Sequence, residues 1–198
     1  MFALALLLLV PVQGRPLFYW GARPAVIVTE AEPGQGIEAQ VLEVHAALDK
    51  GDLRVRLTFD RPVHDAIYLP GGVPVSGRLR AVLYLDADAD RATGWDAGPD
   101  DLRTGAEYRL EIGVVALGAD EEEKLPAQAL VTAFLASLGR EGRRKSVWRG
   151  DDAGAPEQIM IHGEYIELRL PPLEIGAKEG VRLVLSAGER IWNGRVRP

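Results

Sequence analysis

The chain has 198 residues, 47% hydrophobic and 26% charged, enough length and apolar material for one domain with a sizeable core. Its formal charge of -6 argues against a nucleic-acid-binding surface, which needs a basic excess to replace phosphate counterions, and favours neutral or cationic partners. The absence of cysteine excludes a disulfide framework and a lipid-modified cysteine near the start.

The first segment, "MFALALLLLVPVQG", holds an apolar run from Phe2 to Val12. That is too short for the roughly 20 residues that cross a bilayer, but it suits the core of a signal peptide, with small residues Val12 and Gly14 near a cleavage point. The basic flank of such a leader is missing, which leaves an internal start or an ordinary buried strand as alternatives. The expectation is a leader over residues 1–14, a secreted or periplasmic protein with no membrane span, and a single domain over residues 15–198.

Beyond the leader, period-2 alternation recurs, as expected where each half-buried strand turns every second side chain inward. In "LRVRLTF", Leu53, Val55, Leu57 and Phe59 share one face while Arg54, Arg56 and Thr58 share the other. "AEYRLEIGV" repeats this with Tyr108, Leu110, Ile112 and Val114 inward, and "YIELRL" and "VRLVLS" follow near the end. Further strands are expected at 25–29, 37–48, 66–69, 79–86, 158–162 and 191–195. Glycines in "LDKGDL", "IHGEY" and "SAGERI" supply hairpin turns, and "LPGGVPVSG" reads as loop. The segment 125–139 contains helix-favouring alanines and leucines together with Val131, Thr132 and Phe134; the surrounding β pattern favours strand, though composition permits a helix. Many short strands with frequent turns make the fold class all-β, an antiparallel sandwich or barrel.

The densest chemistry lies in "LYLDADADRATGWDAGPDD", where aspartates begin as the chain leaves a strand. Asp86, Asp88 and Asp90 have one parity but stand about 7 Å apart in extended chain, so only a curl can gather them, and Thr93-Gly94 supplies material for one. Gathered carboxylates suit a hard cation such as Ca²⁺. An EF-hand does not fit, because Arg91 and Ala97 stand where glycine and glutamate are required. From residue types alone, turn capping by Asx bonds on an exposed, solubilising loop is the favoured account of these aspartates.

"LYLDADADRATGW" followed by "TGAEYRLEI" resembles the pattern of DOMON-like and family 9 carbohydrate-binding-module-like domains. There a strand runs into D-x-D-x-[DN]-x-x-[ST]-G, and a later G-[AS]-[DE]-[YF] opens the next strand. Asp86, Asp88, Asp90, Thr93 and Gly94 match the first element; Gly105, Ala106, Glu107 and Tyr108 match the second. The resemblance spans roughly residues 25–187 and implies a β-sandwich of jelly-roll type. It also implies calcium at this loop, with Asp86, Asp88, Asp90 and Glu107 as ligands; other members of such families bind sugars, haem or nothing known, and the expectation for this chain is a glycan or other envelope component as partner. Asp96, Asp100 and Asp101 have no counterpart in the pattern.

Sugar recognition uses aromatic faces, and Trp95 and Trp148 are the candidates for ligand binding, weighed against packing over their own loops. Trp20 and Trp192 are expected in core or sheet-edge packing. Catalytic motifs are absent: no G-x-S-x-G, H-E-x-x-H or phosphate-binding loop occurs, and His45, His64 and His162 lie in separate segments. The Glu164 and Glu167 pair would serve a glycosidase only if the fold placed it in a cleft. The expectation is therefore a non-enzymatic binding module, with a structural interaction module as the rival. The basic run holding Arg140, Arg143, Arg144, Lys145 and Arg149 is expected to be a solvated loop, and the acidic run "DEEEKL" likewise.

Overall fold

The computed structural model describes residues 18–31, 37–49, 51–88, 90, 93–95, 105–118, 127–139, 141, 143–154, 157–174, 180–187 and 190–196. The expected leader over residues 1–14, Asp96, Asp100, Asp101, the "DEEEKL" run and Gly188 lie outside them. No helix among the described residues is long and apolar enough to cross a membrane.

Two antiparallel sheets form the body of the molecule. The first has five strands in the order β1 (Ile27–Val28), β2 (Val41–Asp49), β3 (Asp52–Phe59), β11 (Tyr165–Arg169), β10 (Ile159–His162). The second has six, in the order β13 (Arg190–Val196), β12 (Val181–Ala187), β6 (Ala81–Asp86), β7 (Tyr108–Leu117), β8 (Gln128–Leu138), β9 (Arg144–Asp151). A two-residue pair, β4 (Tyr68–Leu69) with β5 (Val73–Pro74), closes a side hairpin. The architecture is the all-β sandwich that alternation in the sequence implies.

Alternation delivers one shared core. Leu53, Val55, Leu57 and Phe59 of β3 meet Leu83 and Leu85 of β6, Leu110 and Ile112 of β7, and Leu183 and Leu185 of β12 in a single buried cluster. At the β1 and β13 edge the backbones approach so closely that a Cβ on Gly194 would overlap the Val26 carbonyl, so this glycine is required by space. Gly51 in the β2–β3 turn takes φ 90° and Gly163 in the β10–β11 turn takes φ 59°, the left-handed values that the hairpins ask for.

Three expectations need correction or trimming. Residues 66–69 are not one strand, because Val63–Ile67 forms a helical turn, α1, and only Tyr68–Leu69 is extended. Pro62 supplies a preset φ at its entrance, and Val63, Ala66 and Ile67 bury a helical rather than an alternating face. The basic run is not wholly loop, since Arg144–Asp151 is strand β9, the edge of the six-stranded sheet. Its backbone pairs with β8 while its cations stay in water, a normal way to protect an edge, so charge in the sequence hid the strand. The strand expected at 37–48 begins at Val41, with Ala39 making only an isolated bridge to Leu79. The segment whose composition permitted a helix is strand, as β8.

Candidate metal centre

The strand β6 ends on Asp86, whose outward parity places it on the face of the six-stranded sheet away from the core. Arg182 stands directly across from it on β12. The Arg182 guanidinium donates through Nε at 3.0 Å and makes an ion pair through Nη2 at 2.9 Å, and both contacts converge on Asp86 Oδ2. The other oxygen, Oδ1, has no hydrogen-bond partner although Asp86 is only 1% exposed. An orphaned carboxylate oxygen at that depth calls for explanation, because unsatisfied buried acceptors are costly.

The explanation lies in what surrounds it. Asp86, Asp88 and Glu107 each present an oxygen, and the three oxygens lie within 4.8 Å of one another. Asp88 reaches the cluster by a curl: its Oδ1 accepts from the Asp90 amide at 2.9 Å, an Asx turn that bends the chain as it leaves the sheet. Glu107 enters from the opposite side, immediately before β7. Its backbone amide donates to the Leu85 carbonyl, and its Oε2 accepts from the Ala87 amide at 2.7 Å.

Thr93 sits among these groups with too few protons for the work. Its Oγ1 lies 2.9 and 3.0 Å from the two Asp88 oxygens, 2.8 Å from the Asp90 carbonyl and 3.1 Å from Glu107 Oε1. One hydroxyl hydrogen satisfies one of those acceptors. The site is rich in acceptors and poor in donors, and a cation is the chemistry that corrects such an imbalance. Its donors are all oxygen, which fits a hard ion such as Ca²⁺ better than a soft one.

Burial pushes the Asp86 carboxyl above the usual carboxylate range; Arg182 opposes the shift and Asp88 adds to it. Burial also raises Glu107, with the Ala87 amide opposing and the Asp88 charge assisting the rise. Both shifts say that, with no cation present, the fold resists holding these groups charged together.

Glycine 94 makes the geometry possible. It takes φ 67°, and a Cβ there would overlap the Gly105 carbonyl and come within 2.6 Å of Glu107 Oε1. Gly94→Ala is therefore expected to cost about 2–4 kcal/mol, combining left-handed strain with a steric clash against Gly105 and Glu107. Gly71→Ala, at φ 90° with open space around it, should cost only about 1 kcal/mol. Urea unfolding of the two variants separates clash from strain, and equal losses would show that the crowding around Glu107 is inconsequential.

Of the residues singled out in the sequence, Asp86, Asp88 and Glu107 come together. Asp90 is exposed and lies outside that group, entering through its amide and carbonyl as part of the turn. Trp95 is half-buried, bridged through its backbone to Ala106, with its ring 5.8 Å from that of Tyr84. Trp148 turns toward the core side of β9, donates to Gln158 Oε1 at 2.8 Å and lies over Gly150. Glu164 is exposed in the β10–β11 turn, whereas Glu167 is buried. None of His45, His64 or His162 belongs to the acidic group.

Sequence reasoning missed Arg182 and Tyr84. Only the register of β12, β6 and β7 brings Arg182 to Asp86 and Tyr84 beside Arg109, and no local spacing encodes a partner 96 residues away. The basic run, by contrast, does neighbour the acidic site. The Glu107 carbonyl accepts from the Leu138 amide, and Leu138 pairs with Arg144.

Compared with protein-family models, curated proteins and solved structures, the chain matches none.

Proposed function

We propose that this chain is an exported, non-catalytic binding module whose acidic centre holds a structural calcium ion and which recognises a glycan or other envelope component. The observation that carries the reading is the orphaned, buried Asp86 Oδ1 facing the carboxylates of Asp88 and Glu107. In the metal's presence Asp86, Asp88 and Glu107 would hold it, and it would supply charge neutralisation that fixes the loop after β6. The likeness of "LYLDADADRATGW" and "GAEY" to DOMON-like and carbohydrate-binding-module-like domains supports the same reading, and the apolar run from Phe2 to Val12 supports export.

The half-buried rings of Tyr84 and Trp95, side by side next to the acidic centre, favour a sugar over a protein partner. A glycan array probed with the full chain in millimolar calcium tests this. Binding to a defined glycan class, lost in chelator or in Trp95→Ala, is the expected result. An array without a single reproducible ligand would leave the interaction-module reading in its place.

A further inference from the structure

Antiparallel register pairs Arg182 of β12 with Asp86 of β6 on the outward face of the six-stranded sheet. The Asp86 side chain is fully buried and that of Arg182 is 11% exposed. A guanidinium that meets a carboxylate commonly forks onto both of its oxygens. Here Nε at 3.0 Å and Nη2 at 2.9 Å both converge on Oδ2, and the buried Oδ1 is left with no hydrogen-bond partner. The arginine therefore pins the carboxylate without closing it to a cation.

Arg182 also changes the charge of the centre. Asp86, Asp88 and Glu107 each present an oxygen, all within 4.8 Å of one another, and with all groups ionised three negative charges against the one positive charge of Arg182 leave a formal -2. The other cations of this sheet face are placed differently. Arg109 and Arg144 both pair with Glu111, and Arg195, across from Arg182 on β13, is exposed, where water screens its charge. Asp90 is exposed as well, and meets the group through its amide and carbonyl.

Burial makes that sum matter. Taking an ion out of water costs free energy that grows with the square of its charge, whereas its attraction to fixed ligands grows only in proportion to that charge. A centre of formal charge -2 neutralises a divalent cation, but it leaves a trivalent one with an uncompensated positive charge beside a guanidinium. We propose that Arg182 is the specificity-determining residue of the metal centre, its charge setting the site to take a divalent cation in preference to a trivalent one of similar size. This rests on the metal-centre reading and adds the valence of the cation to it. An arginine that only anchored Asp86 would hold the strand end in place without affecting which valence binds.

The test is calorimetric titration of the full chain with calcium and with terbium, a hard trivalent ion of similar size, repeated on Arg182→Gln and Arg182→Lys. Glutamine keeps a donor for Oδ2 without the charge, and lysine keeps the charge without the fork. Melting curves in chelator check the fold of each variant. The parent should bind calcium at least as tightly as terbium. In Arg182→Gln the preference should move toward terbium by at least about tenfold, because a unit charge close to the ion acts more strongly on a trivalent than on a divalent cation. Arg182→Lys should keep the ratio of the parent to within about threefold, since the charge is retained. A parental ratio in Arg182→Gln, or a shift in Arg182→Lys as large as that in Arg182→Gln, overturns the proposal and leaves the metal centre standing. Should Arg182→Gln not fold, the parent decides: a larger rise in melting temperature with terbium than with equal calcium overturns the proposal, and an equal or smaller rise supports it. Binding of neither cation to the parent removes the metal centre itself.

Discussion

Millimolar calcium should raise the melting temperature of this protein by about 5–10 °C over the value in chelator. An ion that binds only the folded state at about a hundred times its dissociation constant adds about 2.7 kcal/mol, and each kcal/mol moves a domain of this size by about 2–4 °C. The gain comes from turning three mutually repelling carboxylates, one of them with a buried orphaned oxygen, into ligands. Asp88→Asn is the diagnostic variant. It keeps an acceptor for the Asp90 amide and the Thr93 hydroxyl but removes one ligand charge, so the fold should persist while the calcium increment falls to near zero. A full increment in Asp88→Asn, or no increment in the parent protein, would sink the metal centre.

The same centre predicts the pH dependence. Asp86 and Glu107 both have carboxyls raised by burial, so between their unfolded and folded pKa values the metal-free native state binds more protons than the unfolded chain. Their contribution to metal-free stability is therefore greatest below that window and declines as pH rises through it. Calcium requires the ionised forms and opposes that decline. The calcium increment should be largest at neutral pH and disappear as pH falls below the carboxylate range. Melting curves at about pH 7.5 and about pH 4 decide the matter, since an increment equal at both would point to a site elsewhere.

The second large effect is expected at Trp20, far from the acidic loop. This residue is 5% exposed and lies over the outer face of the five-stranded sheet, where its Nε1 donates at 2.6 Å to Glu167, itself 1% exposed. The Arg56 guanidinium lies 5.0 Å from the Trp20 ring and 5.2 Å from that of Tyr165, and His45 meets the indole edge-on. Truncation to alanine removes a large buried ring, the donor to Glu167 and one of the two rings beside Arg56. Trp20→Ala should cost about 3–5 kcal/mol. Trp20→Phe keeps an aromatic face but no donor, and should cost about 1–3 kcal/mol. Urea unfolding measures both. A loss below about 1 kcal/mol in Trp20→Ala would mean that the segment around Trp20 contributes nothing to holding that sheet face together.

The strands were legible because alternation is local. Leu53, Val55, Leu57 and Phe59 announce an inward face with no knowledge of what they meet, and the structure buries all four. The edge strand β9 escaped because edges are kept polar, so "RRKSVWRG" carries a charge pattern that reads as loop. The helical turn Val63–Ile67 escaped because five residues are too few for a period to show.

For the site, the division follows distance along the chain. The sequence by itself determined the all-β class, the place where carboxylates accumulate, and Asp86, Asp88 and Asp90 as candidates of one parity at a strand end, a short-range signal, while Glu107 joined them only through the resemblance carried by "GAEY". The sequence could not separate Asp90 from Asp86 and Asp88, since the direction in which a loop curls depends on the turn that Asp88 and Thr93 build together. Only the tertiary structure decided that Arg182 would hold one oxygen of Asp86 and leave the other bare. The same is true of Tyr84 meeting Trp95, and of the basic edge lying two strands from the acidic centre. Each of these depends on strand order and register, which are set by the core on the far side of the sheet, and the outward-facing residues take the neighbours that the core's pairing imposes.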